Sequence, residues 1–292
     1  MTEVLRIAAF SDGDSGGNPA GVLLAETLPG DAEMQRIATE VGYSETAFAM
    51  PVAGGWRVRY FSPLSEVPFC GHATIALGAA LAMREGDGIF ALSLNDARIT
   101  VEGRRDGDQF SAALQSPPTR SSPAPGPLVE AVLEIFDFGK VDLHRGLPPA
   151  RAHAGADHLV IGLASREALR AMHYGLSAGR LLMDAAGLVT IVLAWPETPQ
   201  RFHTRNPFAS AGIYEDPATG AGTAALAGYL RDLGWPHGNA IDVVQGEDMG
   251  QRSLLRAEFS DQRGSSIRVS GTARFMDWAR EDWTQAEVDD GG

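Results

Sequence analysis

Cysteine and lysine are nearly absent from this chain: 292 residues contain one of each, Cys70 and Lys140. A single cysteine excludes an intramolecular disulfide. A single lysine leaves a Schiff-base enzyme no choice of anchor. The stretch around it, "IFDFGKVDLH", has no glycine- or serine-rich phosphate cradle, so pyridoxal chemistry is not expected. The seven histidines form no HExxH and no close Cys/His group, and His153 and His158 stand five apart in an Ala/Gly-rich stretch without further ligands. No metal is therefore expected from spacing. GxxxxGK[ST] and GxSxG are also missing. Positive charge is the minority, with a net charge of -13, which repels a phosphate backbone or an anionic lipid surface. No nucleic-acid or membrane partner is expected. No apolar run reaches the ~18 residues of a membrane span. No basic-plus-apolar leader precedes "VLRIAAF". The expectation is a cytoplasmic protein acting on a small molecule.

What is present reads as alternating strands and helices. With 44% hydrophobic and 21% charged residues, the chain suits one large domain or two of roughly 100–150 residues. "VLRIAAF" and "AGVLLAE" alternate as strands around the turn-rich "SDGDSGGNP". A helix is predicted from Asp31, with Met34, Ile37, Ala38 and Val41 on one face and Gly42 to stop it. "SETAFAMPV" and "WRVRYFS" read as strands and "HATIALGAALAMRE" as a helix. Residues 118–127 fall in "PPTRSSPAPGP", which holds five of the 17 prolines, and are expected to be a linker. Beyond it "HLVIGLA" reads as a strand, "SREALRAMHYGLSAG" as one helix and "GLVTIVLAW" as a strand. A glycine-initiated helix and the strands "NAIDVVQG", "SLLRAEFS" and "SSIRVSG" follow. The domain reading is therefore an N-terminal half over 1–117, a linker over 118–127 and a C-terminal half over 128–276. Residues 277–292 are read as an acidic tail, a helix fraying into disorder.

An internal echo links the halves. "EVPFCGHATIALGAAL" (66–81) aligns with "EDPATGAGTAALAGYL" (215–230). Glu66 and Glu215 each precede a proline by two and a glycine by five, and Leu77 and Leu81 match Leu226 and Leu230. Each half then carries a helix opening at a glycine behind an acidic turn. Such a start exposes unpaired N–H groups and about half a positive charge. Glycine lets a ligand's oxygens approach the backbone, so a pair of such starts suits a small carboxylate, without any lysine. "GAGTAA" (220–225) formally fits the dinucleotide fingerprint, but it follows "YEDPAT" instead of a hydrophobic strand, so a nucleotide is not expected.

"GNPAGV" (17–22), "GYSETAF" (42–48), "FCGHATIALG" (69–78), "YEDPATG" (214–220) and "VVQGEDMG" (243–250) together resemble the phenazine-biosynthesis isomerase-like (PhzF-like) family. The resemblance implies an α+β, diaminopimelate-epimerase-like fold: two similar halves, each with a mixed sheet wrapped around a central helix, and an active site between them. It implies an isomerase without cofactor, often a homodimer, that moves a proton between carbons of a small carboxylate, as trans-2,3-dihydro-3-hydroxyanthranilate isomerase does. An amino- or hydroxy-acid epimerase, or a metabolite-binding protein on the same scaffold, is the alternative. Carried over by motif, Glu45 matches the catalytic acid/base. His72 and Asp216 join it as catalytic candidates; Asn18, Gly71, Gly220, Ala221 and Gly222 are substrate-binding candidates. The related epimerases use one cysteine per half. Cys70 stands at one such position but Thr219 stands at the other, so a two-thiol racemase is not expected and Cys70 loses its claim as a nucleophile. Ala221 also departs from the family's usual serine, which removes one polar contact to a ligand.

Overall fold

The computed structural model describes residues 3–276, so the acidic segment 277–292 lies outside the described residues. The chain forms two compact units. The first comprises Pro19–Ala113 with the flanking segments up to Ala9 and from Thr272. The second comprises Phe10–Asn18 and Leu114–Gly271. The halves expected at 1–117 and 128–276 follow the chain order, whereas here one early segment and the last strand cross over. Residues from Phe10 count with the second unit, and the last strand ends against the first strand of the chain, with Ala273 opposite Ala9.

In the first unit the order is β1 (Leu5–Ala9), β2 (Asn18–Leu24), α1 (Asp31–Val41), β3 (Thr46–Val52), β4 (Gly55–Phe61), β5 (Glu66–Val67), α2 (Gly71–Glu85), β6 (Gly88–Ser93), β7 (Arg98–Asp106) and β8 (Gln109–Gln115). The sheet is mixed. β2 pairs parallel with β3 across α1, and β4 pairs parallel with β6 across α2, while β3–β4 and β6–β7 are antiparallel. Asp31 opens α1 as expected, and Gly42 closes it at φ 72°, a left-handed conformation that costs a glycine nothing. Met34 and Ala38 pack with Leu23, Phe48 and Phe61.

The second unit repeats that order after β9 (Arg120–Pro123) and α3 (Gly126–Phe136). Its elements are β10 (Ala150–His153), β11 (Asp157–Gly162), α4 (Arg166–Arg170), α5 (Leu176–Ala186), β12 (Thr190–Thr198), β13 (Arg201–Phe208), β14 (Ile213–Asp216), α6 (Gly220–Leu233), β15 (Ala240–Gln245), β16 (Ser253–Glu258) and the start of β17 (Arg268–Phe275), which from Thr272 counts with the first unit. β11 pairs parallel with β12 across α4 and α5, and β13 pairs parallel with β15 across α6. The strand–helix–strand pattern of the first unit thus recurs with the same sense of pairing. The fold is the expected diaminopimelate-epimerase-like one, in which each mixed sheet wraps a central helix.

The central helices are α2 and α6. Both are rich in alanine and glycine and buried on nearly every face, from His72 to Ala82 and from Gly222 to Arg231. Small residues let strands approach the helix backbone. A Cβ on Gly103 of β7 would stand 2.2 Å from the Gly78 carbonyl oxygen.

Three expectations are corrected. The proline-rich stretch is not a free linker: Arg120–Pro123 form β9, paired antiparallel with β10 from Arg120↔His153 to Pro123↔Ala150, and Pro125 caps α3. The helix expected over 165–179 is two helices, parted at residues 171–175 and resumed behind Gly175. The cause is Arg205 of β13, whose Nη1 donates to the carbonyls of Arg170 and Met172, both at 3.1 Å. Those oxygens would otherwise accept the next helical bonds. The strand read from Gly187 also begins later, at Thr190, because Gly187 terminates α5.

Candidate active site

In the first unit the loop between α1 and β3 carries Ser44 and Glu45, and the loop ahead of α2 carries Cys70. Glu45 is anchored through its backbone, whose carbonyl accepts from Gly21 N at 3.2 Å. Cys70 is the N-cap residue of α2, in extended conformation, and His72 lies in the helix's first turn. The cap is secured from below. Thr74 Oγ1 donates to the Cys70 carbonyl at 2.6 Å, and Tyr60 Oη bonds Thr74 Oγ1 at 2.7 Å. Burial raises the Tyr60 hydroxyl above its ordinary pKa, so it remains a neutral hydrogen-bonding strut.

These supports bring three functional side chains together. Glu45 Oε2 lies 3.4 Å from His72 Nε2 and accepts from Cys70 Sγ at 3.5 Å. The Cys70 sulfur is 3.3 Å from His72 Nδ1, and Ser44 Oγ is 3.3 Å from His72 Nε2. Cys70 and His72 are 8% and 7% exposed, while the Glu45 side chain, at 17%, faces a more open side. A carboxylate, an imidazole and a thiol in mutual contact can pass a proton among themselves. Gly71 opens the helix beside them, with nothing within 4 Å of where a Cβ would stand.

The second unit builds a different cluster at the matching place. Asp216 ends β14 and is buried. Its Oδ1 accepts from Asn18 Nδ2 at 2.7 Å and its Oδ2 from Thr219 Oγ1 at 2.6 Å. Asn18 also donates to the Ala218 carbonyl at 3.1 Å. Gln245 closes the network, donating to the Asp216 carbonyl at 2.7 Å and to Thr219 Oγ1 at 2.9 Å. Thr219 is the N-cap residue of α6, but its hydroxyl serves Asp216 and not the helix, so neither α2 nor α6 has a side-chain cap. Their first-turn N–H groups stay unclaimed by any capping side chain.

The sequence-predicted residues therefore separate into groups. Glu45, Gly71 and His72 come together in the first unit, and Asn18, Asp216, Gly220 and Ala221 gather at the start of α6 in the second. Ala221 is half-buried in the first turn of α6. Gly220 is buried, with its Cβ position 3.6 Å from the Phe10 ring. Gly222 sits differently from the expectation. A Cβ there would stand 2.7 Å from Asn206 Nδ2, so this glycine faces the interior and serves helix–sheet packing. Sequence reasoning passed over Ser44 and Gln245, which lie inside the quoted motifs with nothing local to distinguish them. It weighed Cys70 and Thr219 only as positions of the epimerases' two thiols and set them aside. His153 and His158 form no ligand pair: the first bonds Asp157 at 2.7 Å, and the second bonds Thr190 at 2.7 Å.

The acidic turns of the echo also have a shared purpose. Glu66 is gripped by Arg59, Nε to Oε1 at 2.8 Å and Nη2 to Oε2 at 2.6 Å. That grip holds the Glu66 carboxyl below the usual carboxylate range. Glu215 is gripped in the same way by Arg205, Nε to Oε1 at 3.0 Å and Nη2 to Oε2. In each half a two-pronged guanidinium from the preceding strand fixes the turn five residues ahead of the helix-opening glycine.

Residues 7–277 match the family described as phenazine biosynthesis-like protein. The chain belongs to that family. Its relatives include trans-2,3-dihydro-3-hydroxyanthranilate isomerase of Pseudomonas aeruginosa, 31% identical over 93% of this chain and 96% of that protein. A protein of Escherichia coli K12 named uncharacterized isomerase YddE is 30% identical over 96% of this chain and 99% of its own length. Among solved structures, a Bacillus anthracis phenazine biosynthesis protein of the PhzF family superposes with a TM-score of 0.82 at 21% identity, covering 93% of this chain and 96% of that one. This likeness concerns the fold alone. The chain is an isomerase of this family. Among the described residues no helix is long and apolar enough to cross a membrane.

Proposed function

We propose that the protein moves a proton between carbons of a small carboxylate without a cofactor, a reaction similar to the one for which its Pseudomonas relatives are named. The reading rests on Glu45, whose Oε2 contacts both His72 Nε2 and Cys70 Sγ. In this reading Glu45 removes the proton next to an activating group. His72, in contact with Ser44, steadies the carboxylate and returns the proton or relays it. Asp216 is proposed as a fixed hydrogen-bond acceptor for a substrate N–H or O–H, since Asn18 and Thr219 hold its two oxygens in place. The uncapped first turns at Gly71 and at Gly220–Ala221 supply N–H donors suited to a carboxylate. Thr219 offers no second thiol, and its hydroxyl is engaged by Asp216, which speaks against a two-thiol racemase.

The test is hydrogen exchange in D2O with trans-2,3-dihydro-3-hydroxyanthranilate and a panel of amino and hydroxy acids. Positioned acid–base catalysis contributes ~10²–10⁴-fold, so Glu45→Gln should slow incorporation into the accepted substrate by that order. Undiminished incorporation in a folded Glu45→Gln variant refutes the reading.

A further inference from the structure

The sequence has no metal-ligand spacing, yet folding brings a thiol, an imidazole and a carboxylate into one cluster. Among the described residues Glu45, Cys70 and His72 form a group whose donor atoms all lie within 4.8 Å of one another. We propose that these three side chains bind one zinc-class divalent cation, and that the bound ion shuts off proton transfer at Glu45. The binding stands on geometry alone; the shut-off rests on the proposed function.

Three observations support the site. Zinc takes sulfur at about 2.3 Å and nitrogen or oxygen at about 2.0–2.2 Å, so the donors around a tetrahedral ion stand roughly 3.2–3.8 Å apart. Through His72 Nε2 the separations are 3.5 Å from Cys70 Sγ to Glu45 Oε2, 3.4 Å from Glu45 Oε2 to that nitrogen, and 3.9 Å from the sulfur to it. Two sides already have the spacing of one face of such a polyhedron, and a small side-chain shift on binding closes the sulfur–nitrogen side. The charges also balance, since a thiolate and a carboxylate neutralise a divalent ion beside a neutral imidazole. The amino end of α2, where Cys70 is the N-cap, favours negative charge on the sulfur. The donor set is discriminating as well: a thiolate with an imidazole selects zinc-like ions over magnesium or calcium. Three protein ligands leave the fourth position for water, on the more open side at Glu45.

On binding, the Cys70 S–H bond breaks, its proton goes to solvent, and the sulfur lone pair forms the metal bond. Glu45 and a His72 nitrogen give lone pairs to the same ion. Those lone pairs are the ones that proton transfer needs, so ion and reaction exclude each other.

The experiment titrates the chelator-treated full chain with Co²⁺ as a spectroscopic stand-in. One equivalent should bring up a thiolate-to-cobalt charge-transfer band in the near ultraviolet, and Zn²⁺ should bleach it by displacement. Cys70→Ser should lose the band and bind at least about tenfold more weakly, with a melting temperature showing that it folds. Absence of the band in the wild-type protein, or equal affinity in Cys70→Ser, overturns the site. Zn²⁺ should also suppress D2O exchange, with recovery on adding chelator; exchange that persists with zinc bound overturns the shut-off. A cobalt band together with undiminished exchange in Glu45→Gln would leave the metal site standing and sink the proposed reaction, so the two failures are distinct.

Discussion

Neutralising Glu215 should cost far more stability than neutralising its counterpart Glu66, although each accepts two hydrogen bonds from an arginine. The Arg205 and Glu215 side chains are 9% and 3% exposed. In Glu215→Gln the guanidinium keeps its carbonyl partners at Arg170 and Met172 but loses its counter-charge inside the protein. Breaking a buried pair on one side costs about 3–5 kcal/mol. At ~2–4 °C per kcal/mol for a chain of this size class, the melting temperature should fall by about 6–20 °C. Arg59 and Glu66 are 17% and 27% exposed, and Arg59 keeps a second partner in Asp31. Glu66→Gln should therefore lose only ~0–1 kcal/mol, as for pairs that water can reach. A third variant separates charge from geometry. Replacing both partners, Arg205→Met with Glu215→Met, removes the orphaned charge and should recover part of the loss. The remainder, about 1–3 kcal/mol, reflects the carbonyls that Arg205 no longer satisfies. Thermal melts followed by circular dichroism read all three. Equal losses for Glu215→Gln and Glu66→Gln, or a double variant as unstable as Glu215→Gln alone, would refute the reasoning.

His158 is completely buried, and desolvation pushes its pKa down to about 4 from 6.5. The folded state then holds it neutral while the unfolded chain takes up a proton, so its contribution is full above pH 6.5 and is lost as pH falls toward 4. Between pH 7 and 5 the wild-type protein should lose about 2 kcal/mol more than His158→Gln, read from denaturant melts, and parallel pH dependences would refute this. Gly78→Ala sets helix propensity, about 1 kcal/mol in favour of alanine, against overpacking, because the new Cβ would lie 2.6 Å from Val101 Cγ2 and 2.9 Å from Ala112 Cβ. Overpacking of ~1–3 kcal/mol should prevail, and a variant melting above the wild-type protein would show that the helix is not pressed against the sheet as described.

Local signals were legible where a few neighbouring residues decide the backbone. Asp31 and Gly42 bound α1 as read, because the start of a helix and a left-handed stop are each set by one or two residues. The echo of 66–81 in 215–230 marked both central helices to the residue, at Gly71 and Gly220. Glu45, His72, Asn18 and Asp216 were legible only as motif positions. Their partners were not legible at all, since Asn18 and Asp216 bond across 198 residues.

The sequence by itself determined the duplicated strand–helix pattern and the two glycine-opened helices, and it left Lys140 as the one residue any lysine-dependent chemistry could use. Those follow from period, cap and composition, which act within a few residues. Tertiary structure decided the break between α4 and α5, the pairing of a proline-rich stretch as β9, and the meeting of Cys70 with Glu45 and His72. Each depends on a hydrogen bond or contact supplied by a distant strand or loop: Arg205 takes the carbonyls that would have continued a helix, and β10 offers its backbone to Arg120–Pro123. No single segment carries the energy of such a bond, so it exists only once the chain has packed.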